Sequence, residues 1–185
     1  MELGVLTPAT FWSAYRTALA ARGSWDAYQS NKRWTEVATA AAEDGCAALG
    51  LTTSREKAFR IDVVGWSDHD PDSLHDGTMR VAFEVESGAV WRQEVCKLCH
   101  FAADLRVIVA YEWHATWKAV EALEYYLEEL RVRMFRMPTP WLFVFGPSWE
   151  RPQDAFEAFE VHAPGKVTRI ADATPLRGWD LAGPI

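Results

Sequence analysis

The run Leu105-Arg106-Val107-Ile108-Val109-Ala110-Tyr111 constrains the fold more than any other part of the chain. It is apolar at nearly every position and shows no alternation, the pattern of a parallel strand covered on both faces. A parallel strand needs a crossover before it. Residues 90–103 supply one, with Trp91, Val95, Leu98 and Ala102 recurring at the spacing of a buried helical stripe. Residues 79–87 ahead of that helix read as another strand. Strand, helix, strand is a βαβ unit, expected to be right-handed. The chain is therefore expected to be an α/β protein, a mixed central sheet flanked by helices.

The remaining elements fit around this unit. Residues 8–21 read as a helix, with Thr7 as N-cap, Pro8 at the first position, and Phe11, Tyr15, Ala18 and Leu19 on one stripe. A second helix is expected over residues 31–49, capped by Ser30 and closed by Gly50, with Trp34, Val37, Ala38, Ala41 and Ala48 as a small-residue packing face. Residues 59–66 form a short β-branched run. With residues 79–87 it makes an antiparallel pair across the polar loop 67–77. Residues 116–136 predict a long amphipathic helix stopped by Pro138 and Pro140, residues 141–145 a buried strand, and residues 156–170 a hairpin broken at 163–165. The tail from 171 to 185 is expected to be loosely held.

At 185 residues, 49% of them hydrophobic, the chain is long enough for one domain with a substantial core. We expect residues 1–185 to form a single domain. No basic leader followed by an apolar stretch opens it and no apolar run approaches membrane-spanning length, so a cytoplasmic protein with no membrane association is expected. Three cysteines, two of them in Cys96-Lys97-Leu98-Cys99-His100, do not make a disulfide framework. That string matches the haem-c attachment pattern, but it falls inside the expected helix with Leu98 in the buried stripe. Cys96 and Cys99 read as packing residues. The acids and histidines of the 67–77 loop lack the order of a calcium loop. There is no phosphate-binding glycine loop and no nucleophile elbow.

What remains is a set of carboxylates in places that packing does not explain. In residues 79–87, alternation puts Met79, Val81, Phe83 and Val85 on one face and Ala82, Glu84 and Glu86 on the other. Asp62 sits in the middle of the neighbouring run. Facing carboxylates on paired strands repel, and either a proton or a divalent cation relieves that repulsion. A cluster of hard oxygens suits Mg²⁺ or Mn²⁺.

The order helix (Glu36), strand (Asp62), strand (Glu84-Val85-Glu86), helix (Gln93, Lys97), strand (105–111) resembles the PD-(D/E)XK nuclease superfamily over about residues 30–111. The resemblance implies a restriction endonuclease-like αβββαβ core, here with an added N-terminal helix and C-terminal helix and strand additions. It implies that Asp62 and Glu84 are metal ligands. Glu86 stands where the family has Lys, as in some restriction endonucleases, and Lys97 is the substitute cation. Glu36 and Gln93 match accessory positions on the two helices. The function implied is an Mg²⁺-dependent nuclease, or endonuclease, hydrolysing phosphodiester bonds in DNA. The alternative is a catalytically inactive relative that binds nucleic acid or protein.

Charge weighs on the second side. The formal net charge of -7 is unfavourable for a DNA partner, although part of the acid is gathered in the 67–77 loop and in residues 121–129. Lys32, Arg33, Arg55, Lys57, Arg60, Arg80, Arg92 and Lys97 are the cations available near the site. Of ten tryptophans, Trp12, Trp25, Trp34, Trp66, Trp91 and Trp113 are candidates to stack on bases, against the plainer reading of large core anchors. A homodimer or a protein partner stays open.

Overall fold

The computed structural model describes residues 5–55, 60–68, 77–87, 90–111, 121, 123–125, 139–147, 156–162 and 166–170. Three helices lead: α1 (Pro8–Arg22), α2 (Trp25–Tyr28) and α3 (Asn31–Ala48). The start of α1 follows its sequence. Thr7 and Thr10 cap one another reciprocally, each hydroxyl accepting the other's backbone N–H, with Pro8 in the first turn. Ser30 also precedes a helix, but its side chain makes no cap bond; its carbonyl instead accepts from the N–H of Trp34 at 2.7 Å. Gly50, at φ 78°, turns the chain out of α3 in the left-handed conformation that glycine tolerates best. The short α2 has no periodic signal because it is a single turn, held by Ser24 accepting from the N–H of Ala27.

The sheet has seven strands in sequential order: β1 (Thr52–Ser54), β2 (Val63–Ser67), β3 (Thr78–Ser87), β4 (Leu105–Tyr111), β5 (Trp141–Phe145), β6 (Glu157–His162) and β7 (Lys166–Arg169). Strands β3, β4 and β5 run parallel, and antiparallel pairs extend the sheet on both sides. Helix α4 (Trp91–Leu98) carries the chain from β3 to β4. The three-residue β1 is too short to show a pattern in the sequence. All of β4 is buried, as its continuous apolar run requires.

Two cores result, one on each side of the sheet. Helices α1 and α3 cover Val63, Val81, Phe83, Val85, Val107 and Val109. Helix α4 and the buried Leu123 lie over Val64, Ala82, Ile108, Ala110 and Phe143 on the other face. The two leading helices meet closely at Gly45, where a Cβ would lie 3.2 Å from the Tyr15 backbone nitrogen. The inner face of α3 is Trp34, Ala38, Ala41, Ala42, Gly45 and Cys46. Ala48, expected inward, is exposed.

Three further expectations need correction. Met79 packs on the α4 side, opposite to Val81, because the β2–β3 register shifts between Gly65 and Trp66 and a bulge resets alternation there. Asp62 precedes β2, in a bend after Arg60 at φ 57°, and is not in the middle of a strand. Helix α4 ends at Leu98, earlier than the expected 103, because Arg106 of β4 is buried beneath its C-terminus. The Arg106 guanidinium donates to the carbonyl of Leu98 at 3.0 Å, to the carbonyl of Phe101 and to the Thr139 hydroxyl. These bonds satisfy carbonyls that a helix end leaves open. Most of the helix expected over 116–136 lies outside the described residues, as do 69–76, 163–165 and the tail from 171; residues 121 and 123–125 are helical. Among the described residues no helix is long and apolar enough to cross a membrane.

Candidate active site

Glu84 lies near the middle of the sheet, paired in register with Ile108 of β4, and it faces α4. Its side chain is 1% exposed, and it is the most deeply buried carboxylate among the described residues. Alternation placed it on that face; the burial comes from α4. Lys97, on the last turn of α4, reaches back over the strand and brings Nζ to 2.6 Å from Glu84 Oε1. The same ammonium contacts Glu94 Oε2, one turn earlier on α4, and donates to the carbonyl of Arg60 at 2.8 Å.

Asp62 enters from the other side. Its Oδ2 accepts the backbone N–H of Val85 at 2.9 Å, so a carboxylate continues the β2–β3 ladder where the backbone of β2 has already turned away. It sits near enough to both strand acids for its charge to act on them. Glu86 shares the face of Glu84 toward the C-terminal end of β3, and it is half-buried.

Electrostatics follow from this crowding. Burial, and then the charge of Asp62, push the Glu84 carboxyl up to about 9, with the Lys97 ammonium pulling against them. Burial, followed by the charges of Glu94 and Asp62, also raises Glu86 above the usual carboxylate range. For Lys97, burial acts to lower the pKa, but the carboxylates of Glu84 and Glu94 outweigh it and hold the ammonium above its ordinary value. The cluster thus has four carboxylates around one cation. Among the described residues no group of three or more His, Cys, Asp or Glu side chains is arranged to hold a metal ion.

The structure brings together Asp62, Glu84, Glu86 and Lys97. It does not bring Glu36 or Gln93 to them. Glu36 is exposed on α3, and α3 packs on the opposite face of the sheet. Gln93 is on α4 but exposed, one residue off the face that Glu94 and Lys97 share. Glu94 was not foreseen, although the spacing of three to Lys97 on a helix is a readable ion-pair signal. The carbonyl of Arg60 had no sequence signal, since it depends on a left-handed backbone at a non-glycine residue.

The other expected cations and aromatics serve elsewhere. Arg55 pairs with Glu43, Arg80 with Asp104, and Arg92 lies over the Trp91 ring. Lys32 and Arg33 are exposed on α3, across the sheet from the cluster. Trp12, Trp34 and Trp91 are buried anchors, and Trp25 and Trp66 are partly buried; none of these five is presented as an exposed platform. Trp113 and Lys57 lie outside the described residues. Cys96 and Cys99 pack against the α4-side core as free thiols. No protein-family model matches this sequence, and no curated protein matches it significantly.

Proposed function

We propose that this chain is a divalent-metal-dependent nuclease that hydrolyses phosphodiester bonds in DNA, with Asp62, Glu84, Glu86 and Lys97 as its working groups. The observation that carries the reading is the buried Glu84, 1% exposed, facing a lysine from the crossover helix and accompanied by three more acids, Asp62, Glu86 and Glu94. Burying a carboxylate under a like-charged neighbour is costly, and packing alone gives no reason for it. The element order adds support: α3, then three antiparallel strands, then α4 and a parallel β4 is the αβββαβ order of the PD-(D/E)XK superfamily.

The donors are carboxylate oxygens, the chemistry that suits Mg²⁺ or Mn²⁺, but the Lys97 ammonium stands among them and, among the described residues, no three acids converge on a cation position. Asp62 and Glu84 would hold the ion. Once bound, such a cation supplies Lewis acidity, making a water acidic near neutral pH and polarising a phosphoryl oxygen. Glu86, half-buried near the C-terminal end of β3 and with its pKa raised by burial, would suit the uptake of a proton from the attacking water. Lys97 offers positive charge to the phosphoryl oxygens as they gain negative charge.

A second reading is favoured by one observation. The ammonium of Lys97 already occupies the centre of the cluster and neutralises it without a metal. On that reading the chain is an inactive relative, a module that binds nucleic acid or protein. Thermal melts with and without Mn²⁺, run beside cleavage assays on single- and double-stranded DNA, separate the two. The nuclease reading expects a Mn²⁺-dependent rise in Tm and cleavage that Asp62→Asn abolishes while the variant stays folded. No Mn²⁺ shift and no cleavage would leave the inactive module.

A further inference from the structure

We propose that Glu94 is the positioning residue of this site, holding the Lys97 ammonium over Glu84 together with the carbonyl of Arg60. The inference deepens the nuclease reading by adding a member to its machinery, but the geometry it uses stands without a substrate. A lysine ammonium has three donors and no acceptor. Here three oxygens surround it: the Arg60 carbonyl accepts a hydrogen bond at 2.8 Å, and Glu84 Oε1 at 2.6 Å and Glu94 Oε2 form ion pairs with it. The three acceptors come from three separate places, β3, the bend before β2, and α4 itself.

Each arm has a reason to be there. Arg60 takes a left-handed backbone at φ 57°, a conformation that costs a non-glycine residue energy, and the carbonyl that follows from it is the one Lys97 uses. Glu94 is one helical turn before Lys97, so its carboxylate meets the long side chain from below and directs it along α4 toward the sheet. Without that arm, a four-carbon side chain that is 29% exposed regains most of its rotamer freedom. Of the two carboxylates, Glu94 is the less buried, its side chain 14% exposed against 1% for Glu84. Replacing it therefore disturbs the cluster least.

The test is lysine acylation of the whole protein, with each site quantified by peptide mass spectrometry and the exposed Lys32 and Lys166 as internal references. In wild type, Lys97 should react about tenfold more slowly than Lys32, the protection expected of a partly buried ammonium ion-paired to two carboxylates and bonded to a carbonyl. Glu94→Gln should remove most of that protection and leave the rates at Lys32 and Lys166 unchanged. Glu36→Gln, a carboxylate change across the sheet, should leave Lys97 protected. If Glu94→Gln does not fold, Glu94→Asp replaces it: a charge withdrawn by one methylene should give a smaller rise in the Lys97 rate. An unchanged Lys97 rate in either folded variant overturns the proposal. If wild type neither binds Mn²⁺ nor cuts DNA while Glu94→Gln still exposes Lys97 to acylation, the nuclease reading is overturned and the positioning role stands.

Discussion

Glu84 is the residue from which the pH behaviour of the molecule should follow. Its carboxyl is pushed from an ordinary value of 4.5 to about 9, first by burial and then by Asp62. A group whose pKa is raised on folding stabilises the fold below its unfolded value and loses that contribution as pH rises through the folded one. Metal-free protein should therefore melt at progressively lower temperature between about pH 4.5 and 9. Glu84→Gln, nearly isosteric and uncharged, should flatten that dependence and raise the Tm at pH 8. A variant that keeps the wild-type slope would mean that Glu84 stays ionised throughout and that Lys97 compensates it fully. The alternation of β3 made Glu84, Glu86 and their shared face legible in the sequence, because side-chain direction in a strand is a local property. The depth of Glu84 was not legible, since only the α4 side chains packed above it exclude water.

At the scale of elements, Arg106 decides where α4 stops. It is the one charged residue in a strand that reads as apolar, and it is 1% exposed with its guanidinium spent on two carbonyls and a hydroxyl. Arg106→Met keeps volume and apolar character but leaves those acceptors unsatisfied. We expect a loss of about 3 kcal/mol in urea unfolding, mostly from stranded polar groups. Arg106→Lys should recover little of it, as an ammonium cannot span the same three acceptors. The pairing of β2 with β3 is equally demanding of Gly65, where a Cβ would meet Cys46 Sγ at 2.9 Å and Val81 Cβ at 3.2 Å. Gly65→Val should cost about 2 kcal/mol by overpacking between α3 and the sheet; a neutral result in the same unfolding assay would show that α3 can move away. Periodicity foretold α1, α3 and β4 because each repeats its pattern over several turns or residues. It failed at the end of α4, at Met79 and at Asp62, where a buried arginine, a bulge and a left-handed residue set the chain's course.

Across the whole molecule, the sheet is tied to the leading helices through aromatic contacts, Tyr15 of α1 on Phe83 of β3 and Tyr28 of α2 on the side of β4 to β6. Tyr28 of α2 donates its hydroxyl to the carbonyl of Pro147 at 2.6 Å and packs edge-on against Trp34, Tyr111 and Phe156. Tyr28→Phe should cost about 1 to 2 kcal/mol by leaving a buried carbonyl without its donor, with the loss read as a lower urea midpoint at unchanged slope. A changed slope would instead report that the substitution altered the surface exposed on unfolding or broke two-state behaviour. The α/β class, the parallel centre of the sheet and the helices on its two sides were determined by the sequence itself, because an unbroken apolar strand has only one economical way to hide both faces. The acids on β3 and the lysine on the crossover helix were written there too. What the tertiary structure alone decided is that Glu94 and the backbone of Arg60 join them while Glu36 and Gln93 do not. Which helix covers which face, and where a strand yields to a bend, depend on contacts between residues distant in the chain, and no local pattern encodes those.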